Sequence, residues 1–558
     1  MTRPTTRGPL DLYLVYLTPS AHGVGQRLAV RTIERQLATL PLRPTLRLLA
    51  ILAHRADVSV RDHSERLVLA QVLLRPGPWR DRAVALVQGG QGAVVSSQVA
   101  LQLAQRALVH CPDIPATIGD GELGFRIGTL ILALADHMSS GSRNDDELLL
   151  ELVRLSLFYR LHGLGDWYTT AHGVFFETIP SMTDDHEYVD VDALLQVELG
   201  LSLEHFWAIG ATVGIIALGD AQLHEYPKQI GNLPSEILSR WFATQTQTID
   251  EARSRAQQDL GAGSPWALDT FFLRPIINGI GEEGGFPMRS QLLALKPTLI
   301  GMHYLVFDLL RQAGGNRHLA WSRFLGRAVE VHGRQLLETL LSNPGTLSCP
   351  EAEQAAGPTV PPACDFYIDE ASAVIAGDFV HRALTLPTQT TGSPKALEKD
   401  LRYAIVEKVK QTDSTLTLKA PSAERIYPVI VMSGPLPMNP ILTSKLKRLL
   451  AEEALQVIGV DPRCERVSVL ELHELRMLLL MAATNNIPVS DILSAWVNSP
   501  LGGDSFRNWM VTQFGLAPGR ALAGETWEKV VGTIFGDEGA IADALGDDDE
   551  TTSVESES

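Results

Sequence analysis

The sequence predicts a two-part α+β chain, with an α-helical N-terminal region followed by an α/β domain and a few closing helices. Three observations carry this. Apolar residues recur at helical spacing up to about residue 320, as in Ile33, Leu37 and Leu40. Four prolines then crowd into residues 345–363. After them, short β-type runs alternate with helical segments, the grammar of an α/β layer.

A chain of 558 residues exceeds what one hydrophobic core normally serves, so two or three domains are expected. The division predicted is 1–320 (helical, one or two subdomains), 321–480 (α/β), 481–536 (helices) and 537–558 (an acidic tail). Within the first part, Leu148, Leu149, Leu152, Leu155 and Phe158 also read as helix. Gly163 to Tyr168 reads as a turn with aromatic anchors. Gly279-Ile-Gly-Glu-Glu-Gly-Gly reads as a loop between helices, since it lacks the Gly-Lys-Ser/Thr ending of a phosphate loop and follows no evident strand.

In the second part, Cys364–Ile368 and Ala373–Val380 read as a hairpin around Asp369-Glu-Ala-Ser. A charged helix from about Pro394 to Lys410, a strand at Ile426–Met432, a helix at Ser444–Gln456 and a strand at Arg466–Leu470 follow. Residues from about Asp491 to Phe535 read as two or three helices. The tail beyond is acidic and Ser-rich, a composition that cannot bury enough apolar surface to order itself.

Hydrophobic residues make up 45% and charged residues 20%, an ordinary globular balance. The net charge of -18 argues against a polyanionic partner, although its uneven distribution weakens that inference. Residues 537–558 hold nine acids and no Lys or Arg, so half the net charge lies in the tail. The four cysteines form no Cys-x-x-Cys pair, which speaks against a disulfide framework or thiolate zinc site. The 15 histidines, such as His162, His172, His303 and His318, show no metal-ligand spacing. No apolar stretch approaches the roughly 20 residues of a membrane span and the start carries charge and proline, so a cytoplasmic protein is expected.

The chemistry concentrates between Phe324 and Val380. Glu330 lies on a predicted helix, Asp365 starts the first hairpin strand, and Asp378 lies near the end of the second. Taken singly, Glu330 and Glu338 read as solvated helix-face residues, Asp365 as a strand start and Asp378 as a bulge residue beside Gly377. Lys395, Lys399, Arg402, Lys408 and Lys410 form a basic cluster interleaved with Glu398, Asp400 and Glu407. It reads as a salt-bridged exposed helix.

In order and character this stretch resembles the PD-(D/E)xK restriction-endonuclease-like nucleases. Over about residues 270–480, Phe272-Leu-Arg-Pro-Ile-Ile and Pro297 to Tyr304 are similar to a helical lead-in, and Ile426 to Val431 and Val469 to Leu475 to later core strands. The resemblance implies that Glu330, Asp365 and Asp378 are catalytic acids around Mg2+ or Mn2+. The motif lysine falls on Val380, which can neither orient water nor steady a phosphate. In this superfamily the lysine can migrate to a neighbouring element, and Lys408 or Lys410, on the following helix, is the residue to take that place. The reading is a catalytically impaired, nuclease-like scaffold or nucleic-acid recognition subunit, working with a protein partner in a multi-subunit system, on DNA or RNA and away from membranes. Bacterial DNA processing or antiviral defence is implied by the resemblance alone. The alternatives are an active nuclease with a migrated lysine and a purely structural interaction module.

Overall fold

The computed structural model describes residues 17–59, 62–90, 92–116, 118–139, 164–218, 229–261, 269–281, 285–289, 291–350, 363–370, 372–381, 394–419, 421–433, 440–453, 461–499 and 506–514. The fold is mixed α+β, mostly helical, with two small sheets. The run Leu148 to Phe158, His162, most of the proline-rich connection and the acidic tail lie outside the described residues.

The first helices (Val30–Leu37, Leu42–Ser59, His63–Leu73, Pro78–Gln88, Ser97–His110 and Asp120–Ser139) gather their apolar stripes into one core. Capping follows the local sequence. Asp62 and Ser96, in extended conformation, accept from the backbone N–H of Ser64 and Val99 and so satisfy donors the helices cannot. This core also takes in Ala252, Ala256 and Phe286.

Three short strands, β1 (Thr246–Gln247), β2 (Ile276–Asn278) and β3 (Gly285–Pro287), form a small sheet inside the region read as wholly helical. β2 lies where a helical lead-in was expected. Gly279 follows β2 with φ 81°, so this glycine opens a connection between antiparallel strands rather than between helices. Gly163 to Tyr168 also differs from expectation. A helix, Leu164–His172, begins there, and the Tyr168 hydroxyl donates to the Ala294 carbonyl in the core.

The second sheet has the order β4 (Leu347–Ser348), β5 (Phe366–Glu370), β6 (Ala373–Val380), β7 (Arg425–Met432), β8 (Ser468–Glu471). β4, β5 and β6 run antiparallel; β6, β7 and β8 run parallel, joined by helical crossovers. Both faces are buried. Val429 and Val431 point into a large core shared with the helix Arg317–Leu340, whereas Ile430 and Met432 meet the helices of the crossovers. The charged helix runs past Lys410: Pro394–Leu401 passes through a π-helical turn, Arg402–Val406, into Glu407–Lys419. Pro440–Glu452 is the second crossover.

β8 ends at Glu471, and the helix Leu472–Asn485 starts at once, so the residues after Glu471 that were read as strand are helical. A reciprocal cap starts it: Glu471 N–H donates to Glu474 while the Glu471 side chain accepts from the N3 backbone. The helices Val489–Val497 and Phe506–Phe514 complete the described chain. Trp496 and Phe506 join the same core as Trp241, Trp321 and the sheet, so that core runs through residue 320 without a break. No single described helix is long and apolar enough to cross a membrane. One bent pair, Val191–Leu199 with Leu203–Ala217, passes only when its two pieces, 79° apart, are joined.

Candidate functional site

The register pairs Phe366 with Gly377, and Asp365, the residue before β5, lies next to that pair. Asp378 follows Gly377 on β6. The two aspartates thus come together at one end of the sheet, where β6, β7 and β8 finish, the end at which open α/β sheets place their ligands. Gly377 makes this possible. A Cβ there would lie 2.1 Å from the Val429 carbonyl oxygen, so a larger residue would push β6 from β7. Asp365 and Asp378 are 1% and 0% exposed.

Such buried carboxylates need donors. The Phe379 N–H donates to Asp365 Oδ2 at 2.7 Å, and the Thr412 hydroxyl donates to Asp378 Oδ2 at 3.0 Å. Lys408, one helical turn before Thr412, brings its ammonium 3.4 Å from Asp378 Oδ1 and 4.0 Å from Asp365 Oδ2. Val380, where the motif lysine was sought, is packed with Leu397, Leu401 and Ile405 and is 4% exposed. An ammonium has no place in that apolar contact.

Glu330 arrives from the other side, on the helix Arg317–Leu340. Gly333 lets that helix come close, since a Cβ there would lie 2.1 Å from Phe379 Cε1. Arg334 Nη2 is 2.5 Å from Glu330 Oε1 and 4.0 Å from Asp365 Oδ1. Both distances start from one nitrogen, so Glu330 and Asp365 are neighbours bridged by a guanidinium. The site is a chain of alternating charge: Glu330, Arg334, Asp365, Lys408, Asp378.

The structure therefore brings together Glu330, Asp365, Asp378 and Lys408. Arg334, Thr412 and the Phe379 N–H were not singled out by the sequence. Arg334 carried a signal, its i+4 spacing from Glu330, and Thr412 stands in the same relation to Lys408. The metal set Glu330, Asp365, Asp378 differs from expectation in one respect. Among the described residues no three His, Cys, Asp or Glu are disposed to hold a metal ion, because Glu330 turns to Arg334. The two aspartates still fit Mg2+ or Mn2+. Magnesium is usually held by one or two carboxylates, with water and substrate phosphates filling the other positions.

The other features are structural. Arg402 is tied to Glu398, Glu452 and Glu453, and Lys410 to Glu407 and Glu453, so this part of the basic cluster is paired on the protein itself. His303 lies among Tyr304, Phe307, Trp321 and His381. All four cysteines are unbridged, and burial pushes the Cys111 and Cys364 thiols up to about 12. Comparison with protein-family models, with curated proteins and with solved structures found no match to this chain.

Proposed function

We propose that this chain is a metal-dependent nuclease with a restriction-endonuclease-like core, in which Lys408 does the work of the strand lysine that Val380 replaces. The observation that carries the reading is the Lys408 ammonium within 4.0 Å of both Asp365 and Asp378. The order of helix, three antiparallel strands, crossover helix and parallel strand supports it.

When bound, a divalent cation supplies Lewis acidity and an acidified water. Asp365 and Asp378 are the residues to hold it, each oriented by a donor, the Phe379 N–H or the Thr412 hydroxyl. Lys408 orients the attacking water and lends positive charge to the phosphate as negative charge develops there. Arg334 keeps Glu330 beside Asp365 and offers a second cation to a phosphate oxygen.

The test is cleavage of single- and double-stranded DNA and RNA with Mg2+ or Mn2+, comparing wild type, Asp378→Asn and Lys408→Met. Losing one such contact lowers the rate on the order of 10²–10³-fold. Cleavage that both substitutions abolish is expected. Cleavage insensitive to Asp378 overturns the proposal.

A second reading, a recognition subunit without cleavage, is favoured by the near-complete burial of both aspartates and by the bond from Arg334 to Glu330. It expects nucleic-acid binding by the wild type with no metal-dependent cleavage of any substrate.

A further inference from the structure

A cavity of about 450 Å3 opens in the helical part of the molecule, with no wall from the five-stranded sheet. It lies against the helices Ile249–Gly261 and Leu299–Gln312 and the segment that leads into β2. Its volume falls in the range of small-molecule sites.

Four cations line it, Arg255, Arg274, Lys296 and Arg311, of which Arg311 is paired with Asp308 on the same wall. Among the described residues, Lys296 Nζ donates to the carbonyls of Phe272 and Leu273, both at 2.9 Å, and sits over the Phe272 ring at 5.8 Å. Arg255 donates to Gln247 Oε1 at 3.3 Å. Neither meets a carboxylate at ion-pair distance among the described residues. Arg274 has Glu251 at 3.9 Å.

The acids Asp308 and Asp259 on the wall make their hydrogen bonds to other groups and reach Arg255 only through their charge. Asp308 is held by Arg311 and Gln312, and Asp259 accepts from Gln105 and from the N–H and hydroxyl of Thr270. Glu198 is exposed. Burial, and after it the charge of Arg274, lowers both Arg255 and Lys296, the latter to about 7, while Glu251, Asp308 and Asp259 oppose the shift at Arg255. Like charges held together in this way are stabilised by an anion of more than one negative charge.

Two further features give the ligand a body as well as a charge. Gln245, 2% exposed, lines the cavity, and its Oε1 is buried without a partner, an acceptor for a hydroxyl or amino group. Phe272 and Tyr304, edge to face at 6.0 Å, supply an aromatic wall.

We propose that this cavity binds a small phosphate monoester of about mononucleotide size, with its phosphate on Arg255, Arg274 and Lys296 and a donor of its body on Gln245. A phosphate dianion suits a cluster of three cations, two of them guanidinium forks, better than a lone carboxylate does.

The experiment is calorimetric titration of the full chain with adenosine monophosphate, ribose 5-phosphate, inorganic phosphate and adenosine. The two monoesters bind, inorganic phosphate binds more weakly, and adenosine binds at least about tenfold more weakly than its monophosphate. Arg255→Gln and Lys296→Met each lower the monoester affinity about 10- to 100-fold, the span expected for one charged hydrogen bond. Thermal melting without ligand verifies that each variant folds. Should Arg255→Gln fail to fold, Lys296→Met carries the test, since among the described residues its ammonium caps two carbonyls and no carboxylate. The proposal is overturned if no monoester binds at millimolar concentration, if adenosine equals its monophosphate, or if a folded variant binds like the wild type.

Discussion

Replacing Lys408 with Met removes the ammonium from between two carboxylates that are almost wholly excluded from water. Removing one partner of a buried pair costs about 3–5 kcal/mol, because the remaining charge is stranded. The Lys408 side chain is 26% exposed, so solvent already screens part of the interaction, and a loss of about 2–3 kcal/mol is expected. Asp378→Asn alone should cost less. It leaves Lys408 with Asp365 at 4.0 Å, and the amide oxygen still accepts from Thr412. The double variant should therefore lose less than the sum of the singles, with a coupling of about 1–2 kcal/mol. With more than one core, a melting curve gives the direction of an effect and not its size. Hydrogen exchange of β6 and β7 reads the local free energy directly. Protection there should fall about 30- to 150-fold in Lys408→Met, as 1.36 kcal/mol is tenfold. Unchanged protection, or singles whose effects add, refutes the reasoning that Lys408 neutralises Asp378.

Gly333→Ala should destabilise even though alanine favours helix by about 1 kcal/mol, because overpacking against Phe379 costs about 1–3 kcal/mol. Its melting temperature should fall, and any cleavage with it. Val380→Lys should cost at least about 3 kcal/mol, seen as lost expression or early melting, and should not rescue Lys408→Met. His332 is buried against Thr178, and burial, then the charge of Arg476, lowers its pKa to about 4. The unfolded chain binds that proton near pH 6.5 and the folded one does not. Its contribution is therefore full above about pH 6.5 and is lost as the pH falls towards 4, about 3 kcal/mol at most. Melting temperatures of wild type and His332→Gln should show the steeper loss over pH 6.5 to 4 in the wild type.

The strands of the main sheet were legible where apolar residues run unbroken, as from Ile426 to Met432, since a strand covered on both faces shows no polar alternation. The helix after β8 was not legible, because Val469 to Leu475 continues the apolar run past the strand end. Its start signal was the pair Glu471 and Glu474, a cap built from two acids. The small sheet escaped because strands of two or three residues, one preceded by Pro275 and one ending on Pro287, carry too little pattern to register. The two aspartates were legible from their places in the hairpin. The position of Lys408 was legible only as an alternative, since its direction depends on the turns before it. Arg334 was hidden in plain view on a helix whose charges looked like a solvated face.

The wide turn at Arg402–Val406 accommodates one residue more than a regular helix over the same rise. Every side chain beyond it is thereby rotated by about 100° from where an uninterrupted helix would carry it. Lys408 and Thr412 lie just downstream, so their aim at Asp378 is set by an irregularity that carries no chemistry of its own. Shortening this turn by one residue would leave the composition of the site untouched yet swing the ammonium a quarter-turn or more around the axis. The turn therefore works as a keyway: the same residues, threaded one notch differently, no longer make the site.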